Sequence, residues 1–368
     1  MTRRHWLHRG WLGGLGVIVL LVVGMAAMWW RDVGSAVPIS AHQFSARWMG
    51  DGTILLDDGA SAILIDPYFS RLSRERLRQR TIEPDTGRIE AALRRVGAPR
   101  LLAVLATHSA FDHAMDIPIV AARMNADVAG SRSTQNIARG LAFPEDRIRT
   151  FENGEFLAYA DFNIMAVAAP TSASIGDSLA GDIDVPLRPP VSPLAYRTGR
   201  SYSLIVEHDG RRVLVVGRPT YEPGSMLGIN ADVVFLSIDG LAAKGERFAA
   251  DYWREIVVTT GASLVVLTQW DDHSRPLEQA MRPLSKGDYD TAIDWMQQLG
   301  AHDDITVRVP KEFERIDLMA PSLADVNQLQ RPRDVPRHVR QRALVRDERI
   351  ARRYPQGPIR RQSMRGIL

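Results

Sequence analysis

The chain has 368 residues, 45% hydrophobic and 24% charged, which is enough apolar mass for one large α/β domain or two modest ones. It contains no cysteine, so disulfides and thiolate metal ligands are excluded, and any metal must rest on His, Asp or Glu. The net charge of +3 is unevenly spread: residues 331–368 carry 12 arginines against three acids, which leaves the rest of the chain acidic.

Arg3, Arg4 and Arg9 precede an uncharged stretch from Trp11 to Trp30, WLGGLGVIVLLVVGMAAMWW. That run is long enough to cross a bilayer as a helix, and its terminal tryptophans sit where interfacial anchors belong. The positive-inside bias predicts that residues 1–10 are cytoplasmic and that 11–30 are a single transmembrane anchor. The following domain is then extracytoplasmic, on the periplasmic side of a bacterial-type inner membrane. The alternative is a cleaved signal peptide, with Gly34-Ser35-Ala36 as the small-residue cleavage site. The apolar run exceeds a usual signal core, which favours the anchor. Either reading puts the folded domain outside the cytoplasm.

After a short linker from Val37 to Ala41, residues 44–66 alternate and then run apolar about a turn at Asp57-Asp58-Gly59, the pattern of a hairpin. Residues 68–87 are polar and arginine-rich and read as a surface loop. Arg88–Val96 has helical spacing and ends at Gly97, a plausible cap. Leu101–Ala106 reads as a strand buried on both faces. The chain then turns polar at once, through Thr107, His108, Ser109, Ala110, Phe111, Asp112 and His113. Ligand-type side chains at the C-terminal end of a buried strand are where an α/β fold builds a site. His108, Asp112 and His113 supply two imidazoles and one carboxylate, a set suited to zinc or another borderline divalent ion. The same residues also read as a hydrogen-bonded turn, with Asp112 capping a helix that begins near His113.

Helices are predicted over Ile117–Met124 and Ser133–Gly140, around a short strand Asp127–Gly130, with strands near Arg147–Phe151 and Phe162–Ala168. From Pro170 to Arg200 the chain is rich in Pro, Ser, Gly and Asp without periodicity: a lid, a binding loop or surface decoration. A hairpin turning at Asp209-Gly210 follows, then strand Asp232–Ile238, helix Gly245–Thr259, strand Ser263–Thr268 and helix Tyr289–Leu299. Strands and helices alternating in two successive halves predict two sheets with helices outside. Beyond about Gln330, few apolar residues and scattered prolines make a poor folder. Residues 337–353 fit either a basic amphipathic helix on an anionic lipid surface or a solvated tail. No nucleic-acid module is present, and no nucleic-acid partner is expected.

The segment THSAFDHAMD (Thr107–Asp116) resembles the His-x-His-x-Asp-His signature of the metallo-β-lactamase fold, with Ala110 standing where the second histidine belongs. FSARWMGDGTILLDDGASAILIDPYFS (Phe44–Ser70) resembles the family's opening pair of strands, ending in its Asp-Pro turn at Asp66 and Pro67. SYSLIVEHDGRRVLVVG (Ser201–Gly217) and VVLTQWDDHSRPL (Val265–Leu277) continue the likeness, which covers about residues 40–315. The resemblance implies an α/β fold of the αββα sandwich type, placed over residues 37–320, while hydropathy and composition put the anchor before it and the disordered arginine-rich tail, 321–368, after it.

The resemblance also implies a ligand set. In these hydrolases two metals share a groove between the halves, one held by three histidines, the other by an aspartate, two histidines and often a bridging carboxylate. His108 matches the first histidine, Ala110 replaces the second, and the third falls on Thr171 and Ser172. At the second metal Asp112 and His113 match, the bridging aspartate falls on Arg218, and the last histidine falls on Gln269. Methyl, hydroxyl and amide groups are poor substitutes for imidazole, and zinc wants three or four good protein ligands. The expectation is a degenerate centre, with zinc doubtful and at most one weakly held ion. Arg218, if turned inward, would pair with Asp112 as a fixed positive charge, without a metal's ability to acidify water.

His273, four residues beyond Gln269, offers a substitute ligand. Three functional readings follow. The first is a membrane-anchored protein of this fold without dinuclear hydrolase activity, a pseudoenzyme that binds an unnamed small molecule or partner. The second is a one-metal hydrolase of an ester, lactone, phosphodiester or amide, using His108, Asp112, His113 and His273, with Asp112 as the catalytic group orienting water. The third is an interaction protein working through its basic tail. No nucleophile elbow, P-loop or dinucleotide fingerprint supplies other chemistry.

Overall fold

In a computed structural model describing residues 44–97, 100–171 and 179–319, three short strands open the fold as an antiparallel meander. They are β1 (Ser45–Trp48), β2 (Ile54–Asp57) and β3 (Ser61–Ile65). Their side chains alternate between two covered faces. Ile54, Leu56, Ile63 and Ile65 enter one apolar cluster, whereas Leu55, Ala62 and Leu64 enter another, as the two-residue period of a strand requires. The Asp58 carboxylate closes the turn, accepting from the amides of Ala60 at 2.8 Å and Ser61 at 2.7 Å.

The first half continues with α1 (Arg74–Leu77), α2 (Thr86–Val96), β4 (Arg100–Leu105), α3 (Phe111–Ala114), α4 (Ile117–Met124), β5 (Asp127–Gly130), α5 (Arg132–Gly140) and β6 (Ile148–Thr150). The predicted α2 is capped at both ends. Asp85 accepts from the Arg88 amide, and Gly97 takes the left-handed conformation at φ 52°. β3 to β6 pair in parallel.

The second half repeats the plan. β7 (Phe156–Tyr159), β8 (Phe162–Ala169), β9 (Ser201–His208) and β10 (Arg211–Val216) are antiparallel neighbours. Then β11 (Val233–Ser237), α6 (Leu241–Lys244), α7 (Glu246–Trp253), β12 (Leu264–Thr268), α8 (Lys286–Asp303) and β13 (Thr306–Arg308) extend the sheet in parallel. β14 (Arg315–Asp317) returns to pair antiparallel with β1. The sheets run β14-β1-β2-β3-β4-β5-β6 and β13-β12-β11-β10-β9-β8-β7. One apolar cluster, including Trp48, Phe162 and Phe235, lies between them. The other two join each sheet to its helices, through Ile89 and Val120 on one side and Trp253 and Met296 on the other. The predicted αββα sandwich is therefore present.

Three expectations change. Residues 68–87 are not a plain surface loop: Tyr68, Phe69, Leu72 and Ile82 are buried, and Arg71 is only 1% exposed. The predicted Gly245–Thr259 helix is present but changes its hydrogen bonding part-way, α7 running directly into a π-helical turn at Arg254–Val258, with the short α6 as a separate element before it. The described part of the Pro170–Arg200 segment is strapped to α5 rather than raised as a lid. Asn136 donates to the Ile183 carbonyl at 2.6 Å, and a Cβ on Gly140 would fall 1.6 Å from the Leu187 oxygen. The predicted anchor over 11–30 and tail over 321–368 lie outside the described residues. Among the described residues no helix is long and apolar enough to cross a membrane.

Candidate metal centre

The C-terminal ends of β3, β4, β10, β11 and β12 deliver Asp66, Thr107–His108, Gly217–Arg218, Asp239 and Gln269, the usual location of a site in an open α/β sheet. Thr107 packs so closely against Gly217 that a Cβ there would stand 2.1 Å from its hydroxyl. Asp51, Asp66, Arg71 and Gln269 all hold left-handed backbone angles, with φ of 49°, 49°, 37° and 55°. Each costs on the order of 1 kcal/mol, and such residues cluster where geometry serves a site.

Asp66 organises the inner part. It accepts from the Thr107 amide at 2.7 Å, the Thr107 hydroxyl at 2.5 Å and Nδ1 of His113 at 2.7 Å, and it is fully buried. The other ring nitrogen of His113 meets Nε2 of Gln269 at 2.8 Å, and Ser237 donates to Gln269 Oε1. Burial alone would depress the His113 imidazolium. The charge and hydrogen bond of Asp66, with Asp112 and Asp51 behind, outweigh it and push the pKa up to about 9. In the neutral ring, Nε2 accepts from the Gln269 amide. In the protonated ring the carboxamide must turn its oxygen to that nitrogen.

His108 stacks on His113 with ring centroids 3.8 Å apart. Burial, His113 and Arg218 hold its pKa well below the usual value, so it stays neutral beside its charged neighbour. The cavity next to His108 also touches Tyr202, Gly217 and Arg218 and amounts to about 10 Å³, room for one water. Ala110 is the N-cap of α3 and makes no side-chain capping bond. Asp112 falls in the first turn of α3, inside the helix, so it is not the cap that the turn reading expected. Thr171 offers its carbonyl rather than its hydroxyl to Arg218 Nη1, at 3.0 Å, and the same nitrogen reaches Thr198 Oγ1 at 3.3 Å.

The four histidine and aspartate ligands proposed from the sequence do not come together as one set. His108 and His113 group with Asp66, whereas Asp112 and His273 group with Asp51, the candidate donor atoms of each group lying within 4.8 Å of one another. Asp51 is 3% exposed, and its Oδ2 makes no hydrogen bond among the described residues. Burial, offset in part by His273 and raised further by Asp112, pushes its carboxyl up to about 7. Asp239 lies within electrostatic reach of Asp112, His273, His113 and Arg218. Asp51 and Asp239 were missed as site residues because Gly-Asp-Gly and Ile-Asp-Gly read locally as turns.

The sequence model of the metallo-beta-lactamase superfamily matches residues 53–247. The chain belongs to that superfamily. The match takes in Asp66, the Thr107–His113 segment and Arg218, and it leaves Asp51, Gln269 and His273 outside. Three solved structures similar to this superfamily member are as follows. Igni18, a metallo hydrolase of Ignicoccus hospitalis, is 16% identical, with 74% of this chain and 97% of that chain covered and a TM-score of 0.47. CmlA, a diiron β-hydroxylase of Streptomyces venezuelae, is 13% identical, covering 76% and 55% at a TM-score of 0.47. The isothiocyanate hydrolase from Delia radicum gut bacteria is 14% identical, covering 74% and 98% at a TM-score of 0.46. No curated protein matches.

Proposed function

We propose that this superfamily member has given up the two-metal hydrolytic centre and acts by binding a small molecule or partner. The observation that carries this reading is the commitment of both His113 ring nitrogens within the protein, to Asp66 at 2.7 Å and to Gln269 at 2.8 Å. A histidine must be neutral, with one nitrogen free, to ligate a metal. At the first position His108 keeps no second imidazole, since Ala110, Thr171 and Arg218 stand where other donors would be needed. These residues do not fit a dinuclear zinc or iron pair, and the Gln269 carboxamide occupies the side of His113 that a metal would need. Elemental analysis of the purified full chain tests the reading. Fewer than two metal equivalents are expected, and two equivalents lost together in His108→Ala would overturn it.

The same proposal places the domain outside the cytoplasm on the Trp11–Trp30 anchor, with the arginine-rich tail against anionic lipid. Deleting 331–368 should lower binding to phosphatidylserine vesicles to the level seen with phosphatidylcholine ones, which the anchor alone supplies. Unchanged binding to the anionic vesicles would remove the tail from the account.

A further inference from the structure

We propose that Asp51, Asp112 and His273 form a cation site of this chain's own, taking one divalent first-row ion such as zinc or manganese beside the abandoned dinuclear position. It goes beyond the reading above and shares with the family's ligand positions only Asp112. The three donor atoms lie within 4.8 Å of one another and come from three separate pieces of chain: the turn before β2, the first turn of α3, and the loop after β12.

The second observation is the state of Asp51. Its backbone is held on every side: its amide donates to Asp271 Oδ1 at 2.7 Å, and its carbonyl accepts from Trp48 Nε1 at 2.8 Å and from the Gln269 amide at 3.1 Å. Among the described residues its buried carboxylate Oδ2 has no hydrogen-bond partner. A fold that fixes a left-handed aspartate this firmly and then leaves its acceptor idle carries a desolvation cost of the kind that buried polar groups normally avoid. A cation removes that cost.

The supporting shell has the form such a site needs. Asp271, which fixes the Asp51 amide, is itself held by the buried guanidinium of Arg71. His273 rests edge-on against Tyr68 and Phe111, with ring centroids 6.1 and 6.5 Å away. Two carboxylates balance the charge of a dication, and a mixed oxygen and imidazole set suits borderline ions. Asp112 and His273 are half-buried, so the ligand set is closed on the Asp51 side and open on the other. Three protein ligands with open positions is the pattern of sites that accept an exchangeable oxygen ligand. When bound, the ion would supply Lewis acidity toward a carboxylate, phosphate or carbonyl oxygen.

The test is calorimetric titration of the chelator-treated full chain with Zn(II) and, separately, Mn(II), read alongside the thermal midpoint and, for Mn(II), its electron paramagnetic resonance spectrum. One equivalent is expected. Asp51→Asn and His273→Ala should each bind at least tenfold more weakly and lose the metal-induced rise in midpoint, whereas His108→Ala should bind within about threefold of the parent. Asp51→Asn keeps the side-chain shape and removes a buried charge, so failure to fold will not mask the result. Absence of binding, or unchanged binding in Asp51→Asn, overturns the cation site while leaving the proposed function standing. Binding lost in His108→Ala and kept in Asp51→Asn overturns both.

Discussion

The buried ion pair between Arg71 and Asp271 makes the sharpest prediction about stability. The two side chains are 1% and 0% exposed. Arg71 also donates from Nε to the Arg275 carbonyl at 2.5 Å and from Nη2 to the Asp272 carbonyl at 2.9 Å, while Asp271 holds the Asp51 amide at 2.7 Å. Arg71→Met keeps the apolar stem but leaves the Asp271 carboxylate buried without its counter-charge. Removing one partner of such a pair costs about 3–5 kcal/mol. In a domain of this size each kcal/mol moves the thermal midpoint by roughly 2–4 °C, so the fall should be roughly 6–20 °C. In Arg71→Met/Asp271→Leu no orphaned charge remains, so the double variant should lose well under the sum of the single losses. Circular dichroism melts of the parent, both single variants and the double variant at one ionic strength complete the cycle. A loss below about 1 kcal/mol in Arg71→Met, the value of an exposed pair, would refute the argument that burial makes this arginine structural.

Other substitutions probe the inner site. Gly217→Ala puts a methyl 2.1 Å from the Thr107 hydroxyl and should cost about 1–3 kcal/mol by overpacking; a melt within 1 °C of the parent would contradict this. Gln269→Leu strands both His113 Nε2 and the Ser237 hydroxyl, a loss of about 2–4 kcal/mol measurable in urea; neutrality would show that the carboxamide is not needed there. Asp116 accepts from the Ser70 amide and hydroxyl, each at 2.6 Å, yet burial raises its carboxyl from 3.8 to about 7. The folded chain then keeps a proton that the unfolded chain releases, so stability should fall as pH rises from about 4 to 7 and level off above, by at most about 4 kcal/mol. Asp116→Asn should flatten that decline between about pH 4 and 7, and an unchanged slope would assign the pH dependence elsewhere.

Much of this fold was legible because its signals are local. The apolar run Leu101–Ala106 followed by polar residues marked β4 and its loop, and Gly97 marked the end of α2. The identity of the site was less legible, because it depends on which distant residues the fold brings together. Nothing in the arginine-rich run after Pro67 distinguishes Arg71 from Arg74 or Arg76 by charge. The apolar flanks Tyr68, Phe69 and Leu72 were the available clue that the chain there turns inward. Asp51 looks like an ordinary turn residue until β12 and its loop supply Gln269, Asp271 and His273 around it. Spacing placed His108, Asp112 and His113 together, and the fold then divided them: His113 joins His108 at Asp66, and Asp112 joins Asp51 and His273.

The closing strand has a mechanical consequence. Ser45 at the start of β1 faces Asp317 at the end of β14, and the Leu318 amide bonds to the Phe44 carbonyl at 3.1 Å. Tension applied between residues 44 and 318 therefore loads that strand pair as a zipper, one rung after another, rather than in shear. The domain should yield at low force from that corner, with the paired sheets and their buried aspartates still intact behind it.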